Sequence, residues 1–159
     1  MKEDLIVFLD RDGVINRKKE KYVKNINEFE FLPKIFEAIK IINELDFKII
    51  IITNQSVINR NIISKEELDK IHEHMLKKFN EKSCQILKIY YCPHKPDENC
   101  KCRKPNTGMI IEAMEEFKIN LSNSVLIGDS ESDIETAKRM KMKSIKIESN
   151  GSLIEEIDN

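Results

Sequence analysis

Leu5-Ile6-Val7-Phe8-Leu9-Asp10-Arg11-Asp12-Gly13-Val14-Ile15-Asn16 is the stretch on which the fold turns. Leu5 to Leu9 run without a polar break, which marks a strand buried on both faces. Two carboxylates follow, two residues apart, where the strand ends. In open α/β sheets, ligands bind beyond the C-terminal ends of the strands. Strict alternation would aim Asp10 and Asp12 to opposite sides, but Gly13 allows a turn that brings both toward one site. Read alone, the pair is explained equally well by a solvated acidic turn.

Outward from this stretch, apolar runs alternate with segments of helical period. Lys48–Ile52, Gln85–Tyr91, Ser124–Ile127 and Lys143–Ile147 complete a set of five expected strands. Pro33 reads as a first-turn residue, with Phe36, Ile39, Ile42 and Leu45 on one helical face. Ser64 and Glu67 form a capping-box pattern ahead of a Leu68, Ile71, Met75 and Phe79 stripe. Thr107 is placed to cap a helix carrying Ile110, Met114 and Phe117. A further helix is expected from Glu131 to Met140, with Ile134 and Ala137 inward. Such alternation predicts an α/β fold: a central, mostly parallel sheet with helices on both faces. The length of 159 residues fits one domain, 1–159, and leaves no room for a large cap domain. Two expected loops are long, 10–32 and 92–106, and long loops in a compact α/β domain tend to carry function.

The net charge of -1, with both signs interleaved, gives no electrostatic footprint for nucleic acid or an anionic membrane. No apolar run reaches the roughly 18 residues needed to span a bilayer. The start, Met1-Lys2-Glu3-Asp4 before five apolar residues, is too short and too acidic for a signal peptide. A cytoplasmic monomer is the expectation. Cys92, Cys100 and Cys102 cluster with His94 in the second long loop. In a reducing compartment this clustering points to metal rather than disulfides. Three thiolates and one imidazole suit a closed, tetrahedral structural Zn²⁺ in the loop 92–102. Cys84 reads as a plain buried thiol, and His72 and His74 as surface residues of a helix.

Further polar strand ends converge on the first. Val125-Leu126-Ile127-Gly128-Asp129 repeats a strand ending in aspartate, next to Asp10 at the switch point of a doubly wound sheet. Asp10 and Asp129, with a backbone carbonyl and waters, suit Mg²⁺, which takes few protein ligands. Thr53-Asn54-Gln55-Ser56 puts a hydroxyl, amides and backbone N–H groups at the same rim, where phosphate oxygens can be held. Arg103 and Lys104 supply positive charge, with Lys104 held extended before Pro105. Cys102 precedes them directly, so a zinc ion there would brace the arm that presents both cations.

Taken in order, Asp10-x-Asp12-Gly13-Val14, Thr53, Lys104 and Gly128-Asp129-x-x-x-Asp133 resemble the four motifs of the haloacid dehalogenase superfamily phosphatases over nearly the whole chain. The resemblance implies a Rossmann-like fold and a phosphatase that works through an aspartyl-phosphate on Asp10. By the same resemblance Asp12 exchanges the proton, and Thr53 and Lys104 bind the phosphoryl group. Asp129 would join Asp10 and the main-chain carbonyl of Asp12 around Mg²⁺, with Asp133 in support. Cys92-Pro93-His94 and Cys100-x-Cys102-Arg103-Lys104-Pro105 are similar to two capless subfamilies, the heptose-bisphosphate phosphatases and the histidinol-phosphate phosphatases. Thr53-Asn54-Gln55-Ser56-x-x-x-Arg60 and Asn106-Thr107-Gly108-Met109 look more like the former, which implies removal of the 7-phosphate of D-glycero-D-manno-heptose 1,7-bisphosphate. Substrate contacts from Asn54, Gln55, Arg60 and Arg103 follow from that likeness, with the basic run Arg17-Lys18-Lys19 as a further contact or a solvated face. Val57, the Arg17–Lys21 run and the short His94–Cys100 gap depart from the heptose pattern. A nucleic-acid 3′-phosphatase would share the aspartates but call for a basic groove and stacking aromatics. A non-catalytic zinc module would leave Asp10, Asp12, Lys104 and Asp129 unexplained.

Overall fold

A computed structural model describes residues 2–157. Five parallel strands form one sheet in the order β3-β2-β1-β4-β5: β1 Leu5–Leu9, β2 Phe47–Asn54, β3 Lys88–Cys92, β4 Val125–Gly128 and β5 Lys143–Lys146. The helices between them are α1 Ile35–Glu44, α2 Lys65–Glu81, α3 Gly108–Glu116 and α4 Glu131–Arg139, and α5 Leu153–Ile157 follows the last strand. The β1 boundaries match the sequence reading. The third strand starts three residues later than expected, because Gln85 gives its N–H to the Asn43 side chain rather than to a ladder.

Each central strand buries both faces. Val7, Leu9, Ile49, Ile51 and Ile127 face a core shared with α1, α2 and α5. Ile6, Phe8, Ile50, Ile52 and Leu126 face the opposite core, closed by α3 and α4. The uninterrupted apolar runs are therefore two interleaved sets of core residues, one per side of the pleat. Phe29, Phe31, Phe36 and Phe79 pack edge-on or tilted beneath the first of these cores, with centroids 4.8–5.5 Å apart.

Local start signals fared unevenly. Ser64 accepts the Glu67 N–H and opens α2 as expected. Pro33 lies ahead of α1 rather than in its first turn, because Lys34 adopts φ 65° and redirects the chain before Ile35. Thr107 occupies the N-cap of α3 without a side-chain cap bond. Met114, expected inward, is exposed, and Met109 fills that core instead. His72, expected on the surface, is buried. No helix among the described residues is long and apolar enough to cross a membrane.

Candidate active site

The adjacent strands β2, β1 and β4 deliver Asn54, Asp10 and Asp129 to one edge of the sheet. The Asp10 N–H still bonds to the Ile127 carbonyl, so this side chain is placed by the ladder itself. Its Oδ1 accepts the Arg11 N–H at 2.8 Å and lies 3.1 Å from Lys104 Nζ. Lys104 is buried, and its ammonium also reaches Asp133 Oδ1 at 2.6 Å and the Ile52 carbonyl at 3.0 Å. Three acceptors match the three donors of the ammonium. Asp133 Oδ2 accepts from the N–H and hydroxyl of Ser130, which completes the capping box of α4. Both Asp133 oxygens are thus in use, one on Lys104 and one on the start of the helix.

Asp129 is held differently. Its Oδ2 accepts from Lys18 Nζ at 3.0 Å and from the Ser149 hydroxyl, while Oδ1 is buried without a partner among the described residues. Gly13 makes this packing possible. At φ +89° it passes so close that a Cβ there would lie 2.2 Å from Asp129 Oδ2. Carboxylate oxygens of Asp10, Asp129 and Asp133 lie within 4.8 Å of one another. Because Asp133 is spent on Lys104 and Ser130, Asp10 and the unpartnered oxygen of Asp129 are the pair suited to a hard divalent cation.

Asp12 turns away from that carboxylate cluster. Arg11 Nη2 and Asn16 Nδ2 each donate to its Oδ1 at 2.9 Å, and Gln55 Nε2 donates to Oδ2 at 2.8 Å. Its environment outweighs the upward pull of burial, so the Arg11 charge and these donors hold it below the usual carboxylate range. Asp10 goes the other way. Burial, opposed by Lys104 and reinforced by Asp133, Asp129 and Asp12, pushes it up to about 8. The physical reason is that the protein gives Asp12 three donors and surrounds Asp10 with carboxylates. A divalent cation against Asp10 works in the opposite direction.

The two aspartates open onto a cavity of ≈ 610 Å³ whose lining includes Lys18, Lys19, Arg60, Arg103 and Lys104. Asn54 and Gln55 also line it, but their amides face inward to the protein. Asn54 clamps the Lys104 main chain, accepting its N–H at 3.0 Å and donating to its carbonyl at 3.3 Å. Gln55 bridges Asp12 and the Thr53 hydroxyl. Thr53 is buried behind Gln55 and is not part of the cavity wall. Arg60 folds back on Ser56. Arg103 Nη1 donates to the His94 carbonyl at 3.0 Å. Lys104 lies in a turn closed by the Asn106 N–H on the Arg103 carbonyl.

The cysteine loop is assembled. His94 Nδ1 lies 3.4 Å from Cys92 Sγ and 3.3 Å from Cys102 Sγ, and Cys92 Sγ lies 3.6 Å from Cys100 Sγ. A tetrahedron with zinc–sulfur and zinc–nitrogen bonds of ordinary length has edges of about 3.6–3.8 Å. The described chain therefore holds a Cys₃His cluster of metal-binding shape. Burial pushes the Cys92 thiol up, so a cation is needed to favour the thiolate there. The loop is tied to the site by register. Cys92 pairs with Asn54 across β2 and β3, and its carbonyl accepts the Gln55 N–H.

The sequence reading passed over Arg11, Asn16, Ser149 and Asn150, took His72 for a surface residue and offered Lys18 only within a basic run as a substrate contact. Arg11, Asn16 and His72 form the surroundings of Asp12, and Lys18, Ser149 and Asn150 those of Asp129. Asn150 clamps the first long loop, accepting the Lys18 N–H at 2.6 Å and donating its own N–H to the Gly13 carbonyl. The signal available in the sequence was the turn pair Asn150-Gly151 beyond the last strand, and Asn150 indeed adopts a φ of 62°.

A family model described as polynucleotide kinase 3 phosphatase matches residues 5–148. The chain is 44% identical over 129 residues to a D-glycero-alpha-D-manno-heptose-1,7-bisphosphate 7-phosphatase of Campylobacter jejuni, covering 81% of this chain and 73% of that one. It is 40% identical over 144 residues to a D-glycero-beta-D-manno-heptose-1,7-bisphosphate 7-phosphatase of Helicobacter pylori, covering 90% and 83%. A D,D-heptose 1,7-bisphosphate phosphatase from B. bronchiseptica, solved with magnesium and phosphate, superposes with a TM-score of 0.83 at 31% identity, covering 88% and 78%.

Proposed function

Since this chain belongs to the polynucleotide kinase 3 phosphatase family, within the haloacid dehalogenase superfamily, and is a phosphoric monoester hydrolase, we propose that it removes the 7-phosphate of D-glycero-D-manno-heptose 1,7-bisphosphate. The observation that carries the reaction is the buried Lys104 ammonium between Asp10 and Asp133, beside the unpartnered oxygen of Asp129. In this reading Asp10 is the nucleophile, Lys104 the fixed positive charge and Asp129 the cation-binding carboxylate, all at one end of the sheet.

Asp10 and Asp129 would hold Mg²⁺, with the main-chain carbonyl of Asp12; the ion supplies charge neutralisation for the phosphoryl oxygens. Zn²⁺ in the Cys92, His94, Cys100 and Cys102 cluster is structural in this reading. An Asp10 carboxylate oxygen attacks phosphorus, the ester P–O bond breaks, and the departing sugar oxygen takes a proton from Asp12; the negative charge of the bound phosphate opposes the Arg11 and amide donors that favour the Asp12 carboxylate in the free site. Water then attacks the aspartyl-phosphate at phosphorus and gives a proton back to Asp12. The acyl P–O bond breaks, releasing phosphate and restoring Asp10. Lys104 stabilises the charge that gathers on the phosphoryl oxygens. Asp133 and Asn54 hold Lys104 by its ammonium and its main chain. Thr53, through Gln55, helps fix Asp12, while Arg103 and Arg60 sit where a second phosphate would need countercharge.

That second phosphate favours the bisphosphate over histidinol phosphate, because the cavity wall carries Arg11, Lys18, Lys19, Arg60 and Arg103 besides Lys104, and two of these five, Arg11 and Lys18, are paired with Asp12 and Asp129. The two curated relatives differ in anomer, so the proposal concerns the 7-phosphate alone. Tyr22 is the one aromatic residue in the cavity wall, which offers little stacking surface for an oligonucleotide. A Mg²⁺-supplemented panel tests the assignment: both anomers of the heptose bisphosphate, histidinol phosphate and a 3′-phosphorylated oligonucleotide. The expected result is a kcat/KM at least tenfold higher for a heptose bisphosphate. A preference for histidinol phosphate or the oligonucleotide would reject the sugar assignment.

A further inference from the structure

Beneath the cavity lies a buried contact between Arg11 and His72 that the reaction above does not employ. Arg11, between the two aspartates, is the largest fully buried side chain at 1% exposure. Its Nη2 donates to Asp12, its Nη1 lies 3.1 Å from His72 Nε2 on α2, and its guanidinium carbon stands 5.7 Å over the Phe29 ring. A guanidinium has only donors, so the contact requires an unprotonated Nε2 on a neutral His72. Burial first, then the Arg11 charge, pushes His72 down to about 3, which keeps that lone pair available. His72 is in turn fixed against the Tyr91 ring, 5.9 Å away.

A buried cation needs its partners, and removing one leaves it free to move or to draw in water. Arg11 has Asp12 on one side and His72 on the other, and its Nε has no partner among the described residues. His72 thus decides how Arg11 lies, and Arg11 shares Asp12 Oδ1 with Asn16. We propose that His72 and Arg11 are positioning residues for proton transfer: His72 anchors Arg11, and Arg11 sets the orientation from which Asp12 protonates the leaving oxygen. This rests on the reading of Asp12 as the proton donor. Simple packing would use the same volume, but it would not depend on the leaving group.

The leaving group therefore supplies the test. Magnesium-loaded His72→Leu, His72→Gln and Asp12→Asn enzymes are compared in first-turnover alcohol release from a sugar phosphate and from p-nitrophenyl phosphate. A nitrophenolate departs without a proton, whereas a sugar alkoxide needs one. The ratio of the two rates on one preparation does not depend on how much of it is folded. The expected outcome for His72→Leu is a fall of about 10- to 10²-fold on the sugar phosphate, little change on p-nitrophenyl phosphate and an unaltered KM. His72→Gln, whose amide oxygen can accept from Arg11, should recover most of that loss. Equal losses on both substrates, or full sugar-phosphate turnover in His72→Leu, would overturn the inference. Should Asp12→Asn itself lack the leaving-group dependence, the reading of Asp12 fails; should it show the dependence while His72→Leu does not, only the present inference fails.

Discussion

Asp10 and Asp12 are chemically alike and two residues apart, yet their surroundings separate them. Asp12 has three donors on its oxygens, whereas Asp10 has Lys104 and a backbone N–H but shares its pocket with Asp129 and Asp133. Burial pushes Asp10 from 3.8 to about 8, so its folded form binds a proton more tightly than an unfolded chain would. That contribution to stability is fully present below 3.8 and is lost as pH rises toward 8. A metal ligand must be the carboxylate, so Mg²⁺ should release about one proton on binding at pH 7. Titration calorimetry in buffers of different ionisation enthalpy measures this directly, and a buffer-independent heat would contradict it. Gly13 supports the same centre by having no side chain. Gly13→Ala would drive a Cβ into Asp129 Oδ2 at a backbone angle that side chains rarely adopt. The expected effect is a Mg²⁺ affinity at least tenfold weaker in calorimetry, with a fold retained by circular dichroism. The aspartates and Gly13 were legible because their spacing is local. Arg11, Asn16, His72 and Ser149 were not, because their value lies in partners brought from other elements.

At the level of elements, strand ends and loops act through one another. The β2–β3 register sets Cys92 opposite Asn54, and Asn54 clamps the Lys104 main chain. The Arg103 N–H points at Cys100 Sγ, and the Arg103 side chain holds the His94 carbonyl. A metal in the Cys₃His cluster would therefore fix both ends of the arm that presents Arg103 and Lys104. Displacements of about 1 Å in such groups cost on the order of 10²-fold in rate. Cys102→Ala is expected to lose zinc by metal analysis and to lower kcat by at least tenfold while retaining the sheet. Near-normal turnover in the zinc-free variant would contradict this link. The four ligands were readable from spacing, since a metal loop is compact in sequence. The turn at Lys104 was not, because its closure by the Asn54 clamp and the Asn106–Arg103 bond is not encoded in the Lys-Pro pair itself. Pro33 failed as a helix start for a similar reason, with Lys34 taking the redirecting turn.

Across the whole molecule, the alternation of buried strands and amphipathic helices was enough to define a parallel sheet, because strands buried on both faces leave continuous apolar runs. The adjacency of β1 and β4 then follows from the doubly wound topology and brings Asp10 beside Asp129. What the pattern does not encode is the long-range stitching of loops, such as Asn150 to Lys18 and Gly13, which joins residues more than a hundred positions apart. The central claim, that this assembly hydrolyses phosphomonoesters through Asp10, has a direct chemical test. The Mg²⁺-loaded enzyme is quenched during turnover of heptose bisphosphate, reduced with borohydride and sequenced by mass spectrometry. An aspartyl-phosphate at position 10 predicts homoserine there, absent without substrate, together with loss of turnover in Asp10→Asn. Sustained phosphate release with an unmodified Asp10, and activity surviving in Asp10→Asn, would contradict the account.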